Sequence, residues 1–166
     1  MKNLETRQIV ITALGIAVVF AATMLIKIPN PYQGYFNAGD GVIFIFATLL
    51  NPVLAFVVGG LGSGLADLAG GYVWYFFFTL VIKGLEGVIV SVLYHKYGSS
   101  RLWLATLIAA AWMVFGYYIA GGILLNSFAT AALDIPGNIV QGLAGVAVCL
   151  LLEPLVRKAF SERHFA

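Results

Sequence analysis

Residues 53–70 read VLAFVVGGLGSGLADLAG, an apolar stretch with five glycines and a single charge, Asp67. A membrane-crossing helix needs about 20 predominantly apolar residues, and small residues are enriched where such helices pack closely. Gly60 and Gly64 are four residues apart, so they are expected to share one packing face of the helix. The stretch therefore indicates a helix that crosses a membrane and packs tightly against its neighbours.

The composition of the whole chain agrees with this interpretation. Of the 166 residues, 61% are hydrophobic and only 10% are charged, whereas soluble domains carry about 25% charged residues. This composition excludes an ordinary soluble domain, a disordered segment and a nucleic-acid binder. The one cysteine, Cys149, lies in an apolar stretch, so no intramolecular disulfide can form.

Further apolar runs on both sides of this stretch give the fold class. The sequence predicts an all-α integral membrane protein, with six transmembrane helices in one compact bundle that forms a single domain over residues 1–166. The second run is short and favours a short, tilted or partly re-entrant segment. The expected spans are 6–26, 39–50, 53–70, 76–97, 102–123 and 136–158.

The basic residues of the loops predict the orientation. An even number of spans places both termini on one side, and seven basic residues would lie there, against Lys27 alone on the other. Basic residues concentrate on the cytoplasmic side, so both termini are expected to be cytoplasmic in a multi-pass protein of the cell membrane. The seven are Lys2, Arg7, Lys96, Arg101, Arg157, Lys158 and Arg163.

Polar residues within the spans gather toward the predicted outer side, whereas the inner halves consist mostly of apolar and small residues. This asymmetry predicts a polar cavity open to the outside with no continuous polar path inward. Several of these residues also allow a structural interpretation. Lys83 and Glu86 could pair with each other or with Asp67, and Asp40 is favoured as a helix N-cap. Asn138 and Gln141 could either contact a ligand or join helices by hydrogen bonds.

No catalytic arrangement is recognisable in the sequence. His95 and His164 lie far from any intramembrane carboxylate pair, and metal-ligand or nucleophile motifs are missing. The glycines of residues 59–64 lack the Lys-Ser/Thr that follows a phosphate-binding loop. We therefore expect no enzyme activity, no ATP hydrolysis by this chain, no metal and no cofactor.

Three features together resemble the S components of energy-coupling factor (ECF) transporters. They are the Ala13-x-x-x-Ala17 stripe, the run from Gly62 to Tyr72, and Lys83-Gly84-Leu85-Glu86-Gly87. The resemblance extends from residue 1 to about residue 160 and includes the six short-looped helices and the long first loop. It implies a vitamin-binding membrane subunit that works with a transmembrane coupling (T) protein and two ATP-binding-cassette ATPases.

The resemblance also implies roles for particular residues. Ala13 and Ala17 would contact the coupling protein, and the loop after helix one would cover the ligand with residues near Tyr32, Gln33, Tyr35, Phe36 and Asn37. Ligand contacts would come from the outer ends of helices four to six. The matching positions are Lys83, Glu86, Tyr117, Tyr118, Asn138 and Gln141.

The expected ligand is a small water-soluble vitamin. Metal-binding relatives use histidines near a free N-terminus, and this chain begins Met1-Lys2-Asn3 with no nearby histidine. Tyrosines, amides and both signs of charge favour a flat polar heterocycle such as pyridoxine or hydroxymethylpyrimidine, with riboflavin, thiamine and pantothenate still open. Two alternatives are a self-sufficient small transporter or channel, and an assembly subunit that binds no small molecule.

Overall fold

The computed structural model describes residues 6–30 and 34–161, which form seven α-helices and one β-hairpin. Lys2, Tyr32, Gln33, Arg163 and His164 lie outside the described residues. Short 3-10 turns, Val73–Tyr75 and Ser99–Arg101, precede α4 and α5. In chain order the elements are α1 (Thr6–Leu25), β1 (Lys27–Pro29), β2 (Tyr35–Asn37), α2 (Gly39–Leu49), α3 (Pro52–Ala69), α4 (Phe76–Tyr97), α5 (Leu102–Leu124), α6 (Phe128–Ala132) and α7 (Ile135–Ser161).

Five of the described helices are long and apolar enough to cross a membrane, namely α1, α3, α4, α5 and α7. The helical bundle expected from the sequence is thus present, with two additions in the loops. The first loop contains the hairpin, and the expected loop 124–135 contains the five-residue helix α6. The second expected span is only the 11-residue α2, about 16 Å long against a hydrocarbon thickness of about 30 Å.

Helix α2 is held inside the bundle by contacts at both ends. Asp40 in its first turn pairs with Lys83 inside the bundle, and the Leu50 carbonyl just after its last residue accepts a hydrogen bond from Ser91 Oγ at 2.7 Å. Nine of its eleven residues are buried. The helix therefore lies within the bundle over about half of the bundle's length, and the hairpin lies above its first residue.

The glycines of α3 set the distance between this helix and its neighbours. A Cβ atom on Gly60 would lie 2.7 Å from the Leu80 carbonyl oxygen of α4, and one on Gly64 would lie 3.1 Å from the Phe76 ring. The shared packing face that the sequence predicts for Gly60 and Gly64 is confirmed. Gly62 points the other way, where its Cβ would lie 2.7 Å from Val19 of α1, so α3 packs closely between α1 and α4.

Gly59 offers a test of this packing, because a Cβ there would collide with the backbone carbonyl oxygen of Lys83. Gly59→Ala is expected to lower the free energy of unfolding in detergent by about 1–3 kcal/mol, the usual cost of overpacking. Gly64→Ala is the matched control on the same helix, since its only tight neighbour among the nearest atoms is the movable Phe76 ring, and the Phe76 carbonyl oxygen lies at an ordinary contact distance of 3.7 Å. Thermal unfolding of the two variants measures the difference, and equal stabilities would contradict the predicted backbone collision.

The bundle has two distinguishable ends. Arg7 donates to the Phe160 carbonyl at 3.5 Å, so α1 begins where α7 finishes. At the opposite end, Asn30 after β1 donates to Asp134 between α6 and α7 at 3.0 Å. We call this second end, which carries β1, β2 and α6, the hairpin end.

Candidate functional site

A small cavity of about 40 Å³ lies beneath the hairpin, with room for only a few water molecules. Its wall combines tyrosine rings with amide, hydroxyl and carboxylate groups, and it draws on the hairpin and on α3, α4, α5 and α7. The lining residues are Asn30, Gly34, Tyr35, Asn37, Asp67, Tyr72, Tyr75, Thr79, Tyr117, Asp134, Asn138 and Gln141.

The hairpin covers the cavity and is attached to α7 by backbone and side-chain contacts. Its two strands are antiparallel, with Ile28 opposite Phe36. The Asn37 backbone N–H donates to Gln141 Oε1 at 2.9 Å. The Phe36 ring lies against Gly137 so closely that a Cβ there would collide with it. The hairpin and the first turns of α7 therefore form one wall.

Tyr35 joins the hairpin to α3. Its hydroxyl donates to Asp67 Oδ1 at 2.5 Å, and its ring lies 4.7 Å from the Tyr72 ring. Lys27 Nζ lies over both rings, 4.3 Å and 4.2 Å from their centroids. Burial and the Asp67 carboxylate raise the pKa of the Tyr35 phenol far above its ordinary value, so the phenol stays protonated and remains a donor.

On the opposite wall, Tyr117 of α5 and Thr79 of α4 meet, with 3.2 Å between their hydroxyl oxygens. Lys83 lies one turn further along α4, with its Nζ 5.6 Å from the Tyr117 ring centroid. The cavity wall at Tyr117 thus borders a buried charged group.

That group is the buried ion cluster, which we define as Asp40, Lys83 and Glu86. Lys83 Nζ pairs with Asp40 and also lies 3.1 Å from Glu86 Oε2, and all three side chains are at most 1% exposed. Gln141 connects the cluster to the cavity, because its Nε2 donates to Asp40 Oδ2 at 3.0 Å. The cluster therefore ties α2, α4 and α7 together directly below the cavity.

These contacts decide between the interpretations that the sequence left open. The predicted pairing of Lys83 with Glu86 is confirmed, whereas pairing with Asp67 is wrong because Asp67 binds Tyr35 instead. The N-cap interpretation of Asp40 is also wrong. The N-cap residue is Ala38. Asp40 lies inside the first turn of α2, where its carboxylate forms an ion pair with Lys83.

The structure brings most of the sequence-predicted site residues together. Five of them line the cavity, namely Tyr35, Asn37, Tyr117, Asn138 and Gln141. Lys83 and Glu86 lie below it in the buried ion cluster. Tyr118 lies outside the cavity, with its ring 5.6 Å from the Phe128 ring. Ala13 and Ala17 are exposed on one side of α1.

Several lining residues were not among the predicted ones. Thr79 precedes Lys83 by four residues, so helical spacing placed it on the same face. Asp67 was predicted only as a possible pairing partner of Lys83 and Glu86, and Tyr72 and Tyr75 belong to the aromatic run 72–78 at the start of α4. Asn30 has no helical context, and only the fold of the hairpin brings it to the cavity.

The other end of the bundle also holds a buried carboxylate. Glu153 of α7 is 3% exposed, accepts a hydrogen bond from the Tyr94 hydroxyl at 2.7 Å and lies 3.5 Å from Arg157. The expectation that this half of the spans is almost purely apolar is wrong at this point. Tyr94 of α4 and Arg157, one turn further along α7, compensate the carboxylate.

Within residues 6–30 and 34–161, no group of three or more His, Cys, Asp or Glu side chains is placed to hold a metal ion. The chemistry that the cavity offers is hydrogen bonding and aromatic contact. Such a wall suits recognition of a small polar ring compound.

A family model and one of two known relatives name a transporter. The chain is 28% identical over 164 residues to the thiamine precursor transporter HmpT of Lactococcus lactis subsp. cremoris, covering 95% of this chain and 92% of the relative. It is 40% identical over 134 residues to an uncharacterized protein of Pyrococcus woesei, covering 78% of this chain and 88% of that protein. The profile of the family described as "ECF-type riboflavin transporter, S component" matches residues 3–158. The chain therefore belongs to the ECF-type riboflavin transporter S component family.

Proposed function

We propose that this chain captures a small water-soluble vitamin or vitamin precursor outside the cell and delivers it to an ATP-driven module. The observation that carries the proposal is the cavity beneath the hairpin, which is lined by tyrosines, amides and carboxylates from five parts of the fold. In the proposed orientation, six membrane crossings place both termini in the cytoplasm and the hairpin end outside the cell membrane. The basic residues of the loops support this orientation.

The proposed ligand class is a hydroxymethylpyrimidine-like heterocycle. HmpT, whose name refers to a thiamine precursor, matches almost the whole chain. The cavity of about 40 Å³ must widen for any vitamin, and the widening is smallest for a single-ring compound. Tyr72 and Tyr117 supply aromatic faces, and Asn138 and Gln141 supply amide groups for directed hydrogen bonds.

Riboflavin is the second candidate, because the matching family carries its name. Its three-ring system and ribityl chain need a much larger displacement of the hairpin than a pyrimidine does. The two candidates therefore differ in how far the hairpin must move away from the bundle, which separates Asn37 from Gln141 and Tyr35 from Asp67.

A binding panel on the purified protein separates the candidates. Isothermal titration in detergent is expected to give a Kd for hydroxymethylpyrimidine at least about tenfold lower than for riboflavin, pyridoxine or pantothenate, a difference of about 1.4 kcal/mol. Mass spectrometry of the co-purifying small molecule provides an independent identification. Tighter binding of riboflavin would reverse the ligand assignment, and binding of no vitamin at all would refute the capture function.

We further propose that the chain acts through a transmembrane coupling protein and two ATPases, docking through the side of α1 that carries Ala13 and Ala17. Both alanines are exposed. Leu14 and Val18 beside them are 51% and 37% exposed, so this part of α1 has few contacts with the rest of the bundle. Small residues allow close approach of another membrane helix.

A further inference from the structure

We propose that Asp67 selects the ligand, because its carboxylate accepts a hydrogen bond from an amino group on the ligand's ring. This inference rests on the proposed capture function and names the feature of the ligand that the cavity recognises.

The first observation is that one carboxylate oxygen of Asp67 accepts a hydrogen bond from Tyr35, whereas the other has room for a donor. Its side chain lines the cavity although the residue is only 2% exposed. Oδ1 accepts the Tyr35 hydroxyl at 2.5 Å, and the Thr79 hydroxyl also interacts with the carboxylate, but the buried Oδ2 has no partner within hydrogen-bond geometry. Buried polar atoms in proteins are almost always hydrogen-bonded. An unfilled acceptor in a cavity wall therefore marks a position for a donor.

The second observation concerns the kind of group that fits there. An ionised carboxylate accepts hydrogen bonds and donates none. Lys27 and Lys83 attract the ionised carboxylate, whereas its burial opposes ionisation. Beside the ionised form, a ligand carbonyl or an unprotonated ring nitrogen would meet a second acceptor and be rejected. Because Tyr35 occupies Oδ1, only Oδ2 remains as an acceptor. It suits a single N–H donor better than a cation that donates one hydrogen bond to each carboxylate oxygen.

The third observation is the shape of the surroundings. The Tyr35 and Tyr72 rings are 4.7 Å apart beside the carboxylate, and Lys27 covers them from outside. Lys27 donates to the Gly70 carbonyl at 3.3 Å, so it contributes charge without filling Oδ2. A flat ring placed along the tyrosine faces directs a ring substituent edge-on toward Asp67. An exocyclic amino group on a heteroaromatic ring is a donor that lies in this plane.

The test compares hydroxymethylpyrimidine, which carries a ring amino group, with its desamino analogue and with pyridoxine, which offers hydroxyl groups but no amino group. In the unmodified protein, isothermal titration is expected to show at least about tenfold weaker binding of the desamino analogue, the usual value of a hydrogen bond to a charged group. This comparison needs no variant and is independent of how any variant folds. Equal Kd values for the pair would overturn the assignment of Asp67 while leaving the capture function intact.

Asp67→Asn then assigns the effect to the residue. The amide can still accept from Tyr35, but it turns an N–H toward the ligand amino group, so the tenfold preference is expected to disappear. Glu153→Gln is the matched control, because it converts another buried, tyrosine-bonded carboxylate at the far end of the bundle. It is expected to retain the preference. A preference that persists in Asp67→Asn, or tight binding only of compounds without a ring amino group, would refute the inference.

Discussion

Tryptophan at both Ala13 and Ala17 is expected to abolish vitamin uptake by cells while leaving ligand binding to the purified protein within about twofold. Both positions are exposed on α1, on the far side of that helix from the buried Gly15 and Val19. Two indole side chains there would prevent another helix from approaching closely. The cavity draws its walls from other elements, so its contacts stay as they are.

The measurements are uptake of labelled vitamin, co-purification with the coupling protein and ATPases, and titration of the ligand in detergent. Ala144→Trp with Ala147→Trp is the matched control, because these alanines of α7 are also exposed to the surroundings of the bundle. The control is expected to retain uptake and assembly. Loss of ligand binding with assembly intact would show that this side of α1 has another role.

Lys83→Met is expected to lower the free energy of unfolding by about 3–5 kcal/mol, the usual cost of removing one partner of a buried ion pair. The substitution leaves the carboxylates of Asp40 and Glu86 buried together without a compensating cation. Glu86 Oε1 has no hydrogen-bond partner even in the unmodified protein, so nothing else is in place to compensate it. We expect α2 to lose its attachment to α4 first.

Thermal unfolding in detergent measures this effect, and neutral replacements of the carboxylates provide the control. Lys83→Met combined with Asp40→Asn and Glu86→Gln removes all three charges and leaves uncharged groups of similar size, so no unpaired charge stays buried. The triple variant is therefore expected to recover most of the lost stability. A single variant as stable as the unmodified protein would show that the cluster is not ionised as described.

The sequence predicted the long helices well, because a membrane-crossing helix is encoded by one continuous apolar run. Phe76–Tyr97 coincides with the expected span, and Pro52 and Gly98 lie where α3 begins and α4 ends. The partners of the buried charges could not be read in the same way. The pairing of Lys83 with Glu86 is local, three residues apart, whereas the pairing with Asp40 spans 43 residues and depends on where α2 lies.

The same distinction applies to the cavity. Asn138 and Gln141 were identifiable because helical spacing places them on one face of α7. Asn30 and Asp134 are 104 residues apart and meet only because the hairpin folds over the end of the bundle. Tyr118 lies outside the cavity although its neighbour Tyr117 lines it, because successive residues of a helix point in different directions.

The shortness of α2 has an electrical consequence. The helix spans about 16 Å of a hydrocarbon layer about 30 Å thick, and Gln141, which lines the cavity, contacts its first turn. In the proposed orientation, if the last residue of α2 lies at the inner edge of that layer, a solute bound beside its first turn lies about half-way through the layer. It therefore experiences about half of the transmembrane voltage, roughly 1 kcal/mol per unit charge per 100 mV. The affinity for a charged vitamin would depend on membrane voltage, whereas the affinity for a neutral pyrimidine would not.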